Sequence, residues 1–221
     1  MNEAKISDIF LSYQGEGPYL GMKQLFIRFY GCSFNCAYCD TKPFSYNTFT
    51  KESLLDKISE YKESYHSISL TGGEPLEQVD FLEEFLTLLK QSHQKSIYFE
   101  TNGILHEELK KIIDSVDIIS MDIKLPSSTK KNAFWDEHKR FLEIAKSKDV
   151  LVKVIITDQT NLEDVVKARD ILKDIDRKIP FILQPVDPIE NIKRPSAETL
   201  TRFKRELDKD IKNVEIIPQW H

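Results

Sequence analysis

Gly31-Cys32-Ser33-Phe34-Asn35-Cys36-Ala37-Tyr38-Cys39-Asp40-Thr41 gathers all three cysteines of the 221-residue chain at the spacing C-x₃-C-x₂-C. Three thiolates a turn or so apart can wrap one metal site, and iron–sulfur clusters are the sites most often held that way. A four-iron cluster bound through three cysteines keeps one iron free of protein, open to a substrate or cofactor as a catalytic metal is. Two other readings fit the same residues. One is a Cys₃His zinc site, for which the closest histidine in sequence is His66. The other is a set of three buried structural thiols.

Apolar residues make up 40% of the chain and charged residues 30%, an ordinary balance for a soluble globular protein with a sizeable core. The length suits a single α/β domain over residues 1–221. A net charge of −5 supplies no basic surface for nucleic acid, and Lys110-Lys111 and Lys130-Lys131 read as solvated helix faces and loops. Met1-Asn2-Glu3-Ala4-Lys5 lacks the apolar core of a signal peptide, and no run approaches the roughly 18 apolar residues of a membrane span. The expectation is a cytoplasmic protein, where clustered cysteines point to metal or catalysis and not to a disulfide framework.

Upstream of the cysteines, Ile6, Ile9 and Leu11 alternate loosely with polar residues and lead into the loop Tyr13-Gln14-Gly15-Glu16-Gly17-Pro18. Gln24-Leu25-Phe26-Ile27-Arg28-Phe29-Tyr30 reads as a buried strand interrupted by one charge. Arg28 there is either a snorkelling edge residue or a cation meeting an anion in a cleft. Downstream, Thr50 caps a helix carrying Leu54, Ile58 and Tyr61, and the chain then alternates strand and helix. Strands are expected at 67–70, 97–99, 116–119, 150–156, 181–183 and 214–217. Helices are expected around 81–89, 107–113 and 132–146, after a capping box at Thr160 and Glu163, and after Ser196. This βα rhythm builds either a doubly wound sheet or an incomplete barrel of six or seven parallel strands.

The unusual residues fall just after the expected strands: the cysteines, Thr71-Gly72-Gly73-Glu74-Pro75, Glu100-Thr101-Asn102-Gly103, Asp122 to Lys124, Thr157-Asp158, Gln184-Pro185 and Pro218-Gln219. Parallel strands put these positions on one rim, where α/β folds build their sites. Any one of them taken alone is also plain turn chemistry.

The cysteine run, with Tyr38 in its aromatic place, and the Gly72-Gly73-Glu74-Pro75 element together resemble the radical S-adenosylmethionine (SAM) superfamily. Tyr13-Gln14-Gly15-Glu16-Gly17, Cys39-Asp40-Thr41, Glu100-Thr101-Asn102-Gly103 and Pro218-Gln219-Trp220-His221 narrow the resemblance to the 7-carboxy-7-deazaguanine synthases. It implies an incomplete TIM-like (βα) barrel of about six parallel strands, assembled as a homodimer. The implied reaction turns 6-carboxy-5,6,7,8-tetrahydropterin into 7-carboxy-7-deazaguanine with loss of ammonia, a step towards queuosine or archaeosine. The implied cofactors are a [4Fe-4S] cluster, SAM and Mg²⁺, with a flavodoxin- or ferredoxin-type electron donor.

By the same resemblance Cys32, Cys36 and Cys39 hold three irons, and SAM chelates the fourth and is regenerated after its radical takes hydrogen from the pterin. Tyr38, Cys39, Asp40, Gly73, Glu74, Asp122, Ile123 and Lys124 line the SAM site, Glu74 receiving the ammonium group and Gly72 and Gly73 letting the backbone come close. Tyr13, Gln14, Gly15, Glu16, Arg28, Thr71 and His221 line the pterin site, with Glu16 on the amino-pyrimidinone edge and Arg28 on the C6 carboxylate. Thr41 supplies a ligand to Mg²⁺ and Asp40 steadies its waters. A free chain end ordinarily frays, which bears on His221. Asp122-Ile123-Lys124 departs from the family's commoner Ser-Pro-Lys and also occurs in activases of glycyl-radical enzymes, the rival reading. A non-enzymatic iron–sulfur carrier or zinc module is the remaining one, although a carrier usually shields its cluster with four protein ligands.

Overall fold

Three antiparallel and seven parallel strands share one sheet in the computed structural model, which describes residues 3–41, 45–189 and 191–220; β2 belongs to both sets. The strands are β1 (Glu3–Tyr13), β2 (Lys23–Phe29), β3 (Asn47–Thr50), β4 (Ser67–Gly72), β5 (Ser96–Thr101), β6 (Ile118–Asp122), β7 (Asp149–Ile156), β8 (Phe181–Pro185) and β9 (Val214–Ile216). The helices are α1 (Lys51–Ser59), α2 (Val79–Ser92), α3 (His106–Ile112), α4 (Pro126–Thr129), α5 (Trp135–Ala145), α6 (Leu162–Ile175) and α7 (Ala197–Leu207). The spatial order is β3-β1-β2-β4-β5-β6-β7-β8-β9, antiparallel across the first two pairings and parallel from β2 onward.

That order decides between the two architectures left open by the sequence. A doubly wound sheet reverses its strand order and so places helices on both faces. Here the parallel strands never reverse, so right-handed crossovers lay every helix on one face. The sheet is open, with β3 and β9 at its edges, as in a barrel that stops short of closure.

Strand alternation then separates the chemistry. Leu25, Ile27 and Phe29 of β2, Ile68 and Leu70 of β4, Ile97 and Phe99 of β5, and Val150, Val152 and Val154 of β7 pack with the helices in one continuous core. Their alternates face the hollow of the half-barrel: Gln24 and Arg28, Ser69 and Thr71, Tyr98 and Glu100, Ser120 and Asp122, Lys153, and Gln184. Register carries the polar row from strand to strand, Arg28 opposite Thr71, Glu100 opposite Ser120 and Asp122 opposite Lys153.

Three local expectations change. Thr50 and Ser196 cap α1 and α7 as read, accepting from Ser53 N at 3.2 Å and Thr199 N at 3.1 Å. The box at Thr160 does not form: Asn161 caps α6 by accepting from Asp164 N at 2.8 Å, while the Thr160 hydroxyl accepts from Thr157 N. The helix expected from Asn132 begins at Trp135, and a short α4 precedes it. The strand expected from Val116 begins at Ile118, because Ile113–Ser115 forms a 3₁₀ turn and the Asp117 carboxylate accepts from Ile97 N at 2.8 Å.

Candidate active site

Cys32, Cys36 and Cys39 all line one cavity of about 920 Å³ at the C-terminal rim of the parallel strands. The loop that carries them is held on two sides. Ser33 N and Oγ both donate to Glu77 Oε1 at 2.6 Å, and Ala37 N donates to Thr129 O at 3.1 Å. Gly31 at φ +98° and Asn35 at φ +48° make its turns in the left-handed region, where glycine and asparagine are the least strained residues. Cys36 is buried against Tyr38, Ile155, Val186 and Ile192. Burial pushes the Cys32 and Cys36 thiols above their ordinary range. Three thiols in one loop, with none of the described histidines lining the cavity, fit cluster iron better than a Cys₃His zinc site, although no three such side chains among the described residues stand together as a ready ligand set.

The Gly-Gly-Glu-Pro element holds the entry to this loop. Gly73 N donates to Phe29 O at 2.9 Å and Glu74 N to Gly31 O at 2.8 Å. A Cβ on Gly73 would lie 1.8 Å from Gly31 O, and one on Gly72 would lie 2.3 Å from Phe29 O. Both glycines are thus required by the neighbouring strand end, a reason separate from any approach to a cofactor. Glu74 corrects an expectation. It is 1% exposed and does not line the cavity, because it caps the 3₁₀ turn that Pro75 begins. Its oxygens accept from Leu76 N, Thr101 Oγ1 and Asn102 N at 2.7 to 3.1 Å. Burial pushes its carboxyl up to about 7 against those donors. Ile123 is likewise redirected: its side chain is 1% exposed in the core and its N–H donates to Lys153 O at 2.9 Å.

The other polar residues converge. Asp122 and Lys124 both line the cavity, with Lys124 Nζ 2.6 Å from Asp122 Oδ2 and 5.7 Å above the Tyr38 ring. Burial alone would raise the Asp122 carboxyl, but Lys124 and Lys153 hold it below the usual carboxylate range. Glu16 accepts from Gln184 Nε2 at 2.9 Å and is hydrogen-bonded to Lys153 Nζ. Glu100, pushed up by burial, accepts from Thr71 Oγ1 at 2.6 Å and from Gln14 Nε2 at 2.8 Å. Arg28 is half-buried over the Phe10 ring, and its Nη1 donates to Thr41 Oγ1 at 3.1 Å. Three buried polar atoms on these walls have no hydrogen-bond partner: Arg28 Nε, Asp122 Oδ1 and Gln184 Oε1.

Tyr13 at the end of β1 and Gln14 and Gly15 after it line the same cavity, as do Gln219 and Trp220. Trp220 N donates to Gly15 O at 3.0 Å, and a Cβ on Gly15 would meet Trp220 O at 2.0 Å. Gln219 Nε2 donates to Asp40 Oδ2 at 3.1 Å. The tail is therefore tied to the site up to residue 220, whereas fraying was the ordinary expectation; His221 lies outside the described residues. Lys153 and His138 were not singled out from the sequence, and Gln184 was marked only as a rim residue without a role. His138 is fully buried, bonded through Nδ1 to Gly103 O at 2.9 Å, and its Nε2 accepts from Lys124 N at 3.1 Å. Burial lowers its pKa to about 4, so it is neutral near pH 7 and fixes the backbone that carries Lys124.

A family model for the radical SAM superfamily matches residues 26–175. A 7-carboxy-7-deazaguanine synthase of Geobacter sulfurreducens is 33% identical, covering 99% of this chain and 96% of the relative. One of Methanocaldococcus jannaschii is also 33% identical, covering 98% and 97%. The crystal structure of QueE from Escherichia coli superposes with a TM-score of 0.68 at 18% identity, covering 99% of this chain and 95% of that one, and so supports the fold. A cavity lined by three cysteines and a charged polar row, in a chain matched over nearly its whole length, has one family to answer to: the chain belongs to the 7-carboxy-7-deazaguanine synthases of the radical SAM superfamily.

Proposed function

We propose that this chain converts 6-carboxy-5,6,7,8-tetrahydropterin to 7-carboxy-7-deazaguanine with loss of ammonia, as one domain working in a homodimer. The observation that carries this reading is one cavity that the three cysteines line together with Glu16, Arg28, Thr71 and Gln184. The residues fit the superfamily's cofactors. Cys32, Cys36 and Cys39 would hold a [4Fe-4S] cluster, and the apolar wall of Tyr38, Ile155 and Val186 suits the adenine of SAM. Asp122 and Lys124 are placed for its polar groups. Together the cluster and SAM supply a carbon-centred radical when an electron arrives from a small redox protein.

The chain's own residues bind and orient the pterin. Glu16, steadied by Lys153 and Gln184, presents a carboxylate to the paired N–H donors of the amino-pyrimidinone edge. Arg28 takes the C6 carboxylate. Thr41 and Asp40 offer adjacent oxygens to Mg²⁺, an oxygen-seeking ion that keeps several waters. Arg28 holds the same Thr41 hydroxyl in the free protein, so it must turn to the carboxylate as pterin enters. Gln219 and Trp220 complete the lining. No described helix is long and apolar enough to cross a membrane, which accords with a cytoplasmic enzyme. The test is anaerobic reconstitution with iron and sulfide, then SAM, reductant and the pterin. Product and ammonia should appear one to one, and SAM cleavage without ammonia would reject the reading.

Two substitutions probe this wall. Arg28→Lys keeps the charge and loses the planar fork, and a charge-assisted hydrogen bond is worth about 1.5–3 kcal/mol. Pterin affinity should fall by about one to two orders of magnitude while SAM affinity holds. Equal loss of both, read by titration calorimetry, would make Arg28 a structural charge. Thr41→Val keeps the shape and removes the oxygen, so turnover should drop and no longer respond to Mg²⁺, with iron content unchanged. Undiminished Mg²⁺ activation would leave Thr41 as a turn residue.

A further inference from the structure

Lys153 is the only charge inside Val150-Leu151-Val152-Lys153-Val154-Ile155-Ile156, and its side chain is 5% exposed on the hollow face of the sheet. It lies opposite Asp122 in the β6–β7 register. Its ammonium is hydrogen-bonded to Glu16 and stands 3.4 Å from Asp122 Oδ1, an ion pair slightly too long for a good hydrogen bond. Glu100, from β5, faces the same ammonium. Lys124 holds the second oxygen of Asp122, and Gln184 holds the second oxygen of Glu16. A line of alternating charges, Glu16, Lys153, Asp122 and Lys124, therefore runs beneath the cavity from the loop after β1 to the loop after β6. On the reading above, its first member serves the pterin and its last two serve SAM.

We propose that Lys153 is a positioning residue that couples these two halves of the site, one ammonium setting both carboxylates. Burying a carboxylate without a counter-ion is costly; Lys153 is the cation that Glu16 contacts, and Asp122 shares it with Lys124. Pterin N–H donors that bind Glu16 share the load Lys153 carries there and free it to move towards Asp122, closing the 3.4 Å gap. SAM bound at an Asp122 attended by both lysines keeps Lys153 there and leaves Glu16 open to the pterin, so each ligand favours the other, as linkage between two sites requires.

The inference rests on the pterin and SAM assignments, and its test keeps the two apart. Dissociation constants for SAM with and without carboxytetrahydropterin, and the reverse, are measured on anaerobically reconstituted wild type, Lys153→Met and Lys153→Arg. In wild type each ligand should tighten the other by about fivefold or more. Lys153→Met should weaken pterin about tenfold to a hundredfold and bring the coupling factor to one, while Lys153→Arg keeps the coupling. Should Lys153→Met not fold, Asp122→Asn/Lys153→Met removes one carboxylate with the cation and is expected to show the same weak, uncoupled pterin binding. A folded Lys153→Met protein with wild-type pterin affinity or intact coupling overturns the proposal, as does a wild type that binds both ligands independently. A wild type that binds SAM but no pterin overturns the functional reading, and this inference falls with it.

Discussion

Cys36→Ala protein will fold normally and make no 5′-deoxyadenosine. The side chain is buried among Tyr38, Ile155 and Val186, where alanine is a small loss of volume in an apolar setting. Its chemical loss is expected to be total, because the chain has three cysteines and the proposed cluster assignment uses each to fix one iron. An outer partner of a metal ligand is worth about 10–100-fold in affinity or activity, so a ligand itself should cost well over a hundredfold. Iron content and SAM cleavage, measured together on reconstituted protein, give the answer. Cleavage at the normal rate would remove Cys36 from the ligand set and the cluster from its loop.

Gly73→Ala is expected to damage the site from the outside. Its Cβ would stand 1.8 Å from Gly31 O and 3.1 Å from Cys32 N, both backbone atoms of the loop that places the first cysteine. Neither can yield without breaking the hydrogen bonds from Gly73 N to Phe29 O and from Glu74 N to Gly31 O. Forced overpacking costs typically 1–3 kcal/mol and occasionally more, and the loss here should be on the order of 3 kcal/mol. The urea midpoint should fall and iron incorporation with it. A wild-type midpoint with full iron content would mean that β2 and β4 are not held this close.

The cysteine spacing and the βα rhythm were legible because each has a local cause, three thiols in one short loop and hydrophobic runs of strand length. The direction of winding was not, since strand order depends on which edge each crossover returns to. Arg28 stood out as a lone charge in an apolar strand, and the same logic applied to Lys153 and Glu100 would have found the rest of the hollow face. It was masked in β7 by the weight of β-branched residues around Lys153. Glu74 was misread because Glu-Pro is also a cap followed by a first-turn proline, and burial, invisible in the sequence, decides which role it takes. His138 gave no signal at all: its partners, Gly103 and Lys124, are 35 and 14 residues away.

That one cavity holds the pterin against the SAM wall is tested most directly by following hydrogen. Pterin deuterated on its saturated ring carbons is turned over once or a few times, and the remaining SAM is analysed by mass spectrometry. If Glu16, Arg28 and Thr71 present the pterin to the wall that carries the three cysteines, deuterium will appear in recovered SAM as 7-carboxy-7-deazaguanine accumulates. Unlabelled SAM, with 5′-deoxyadenosine and methionine formed in step with any product, would contradict it.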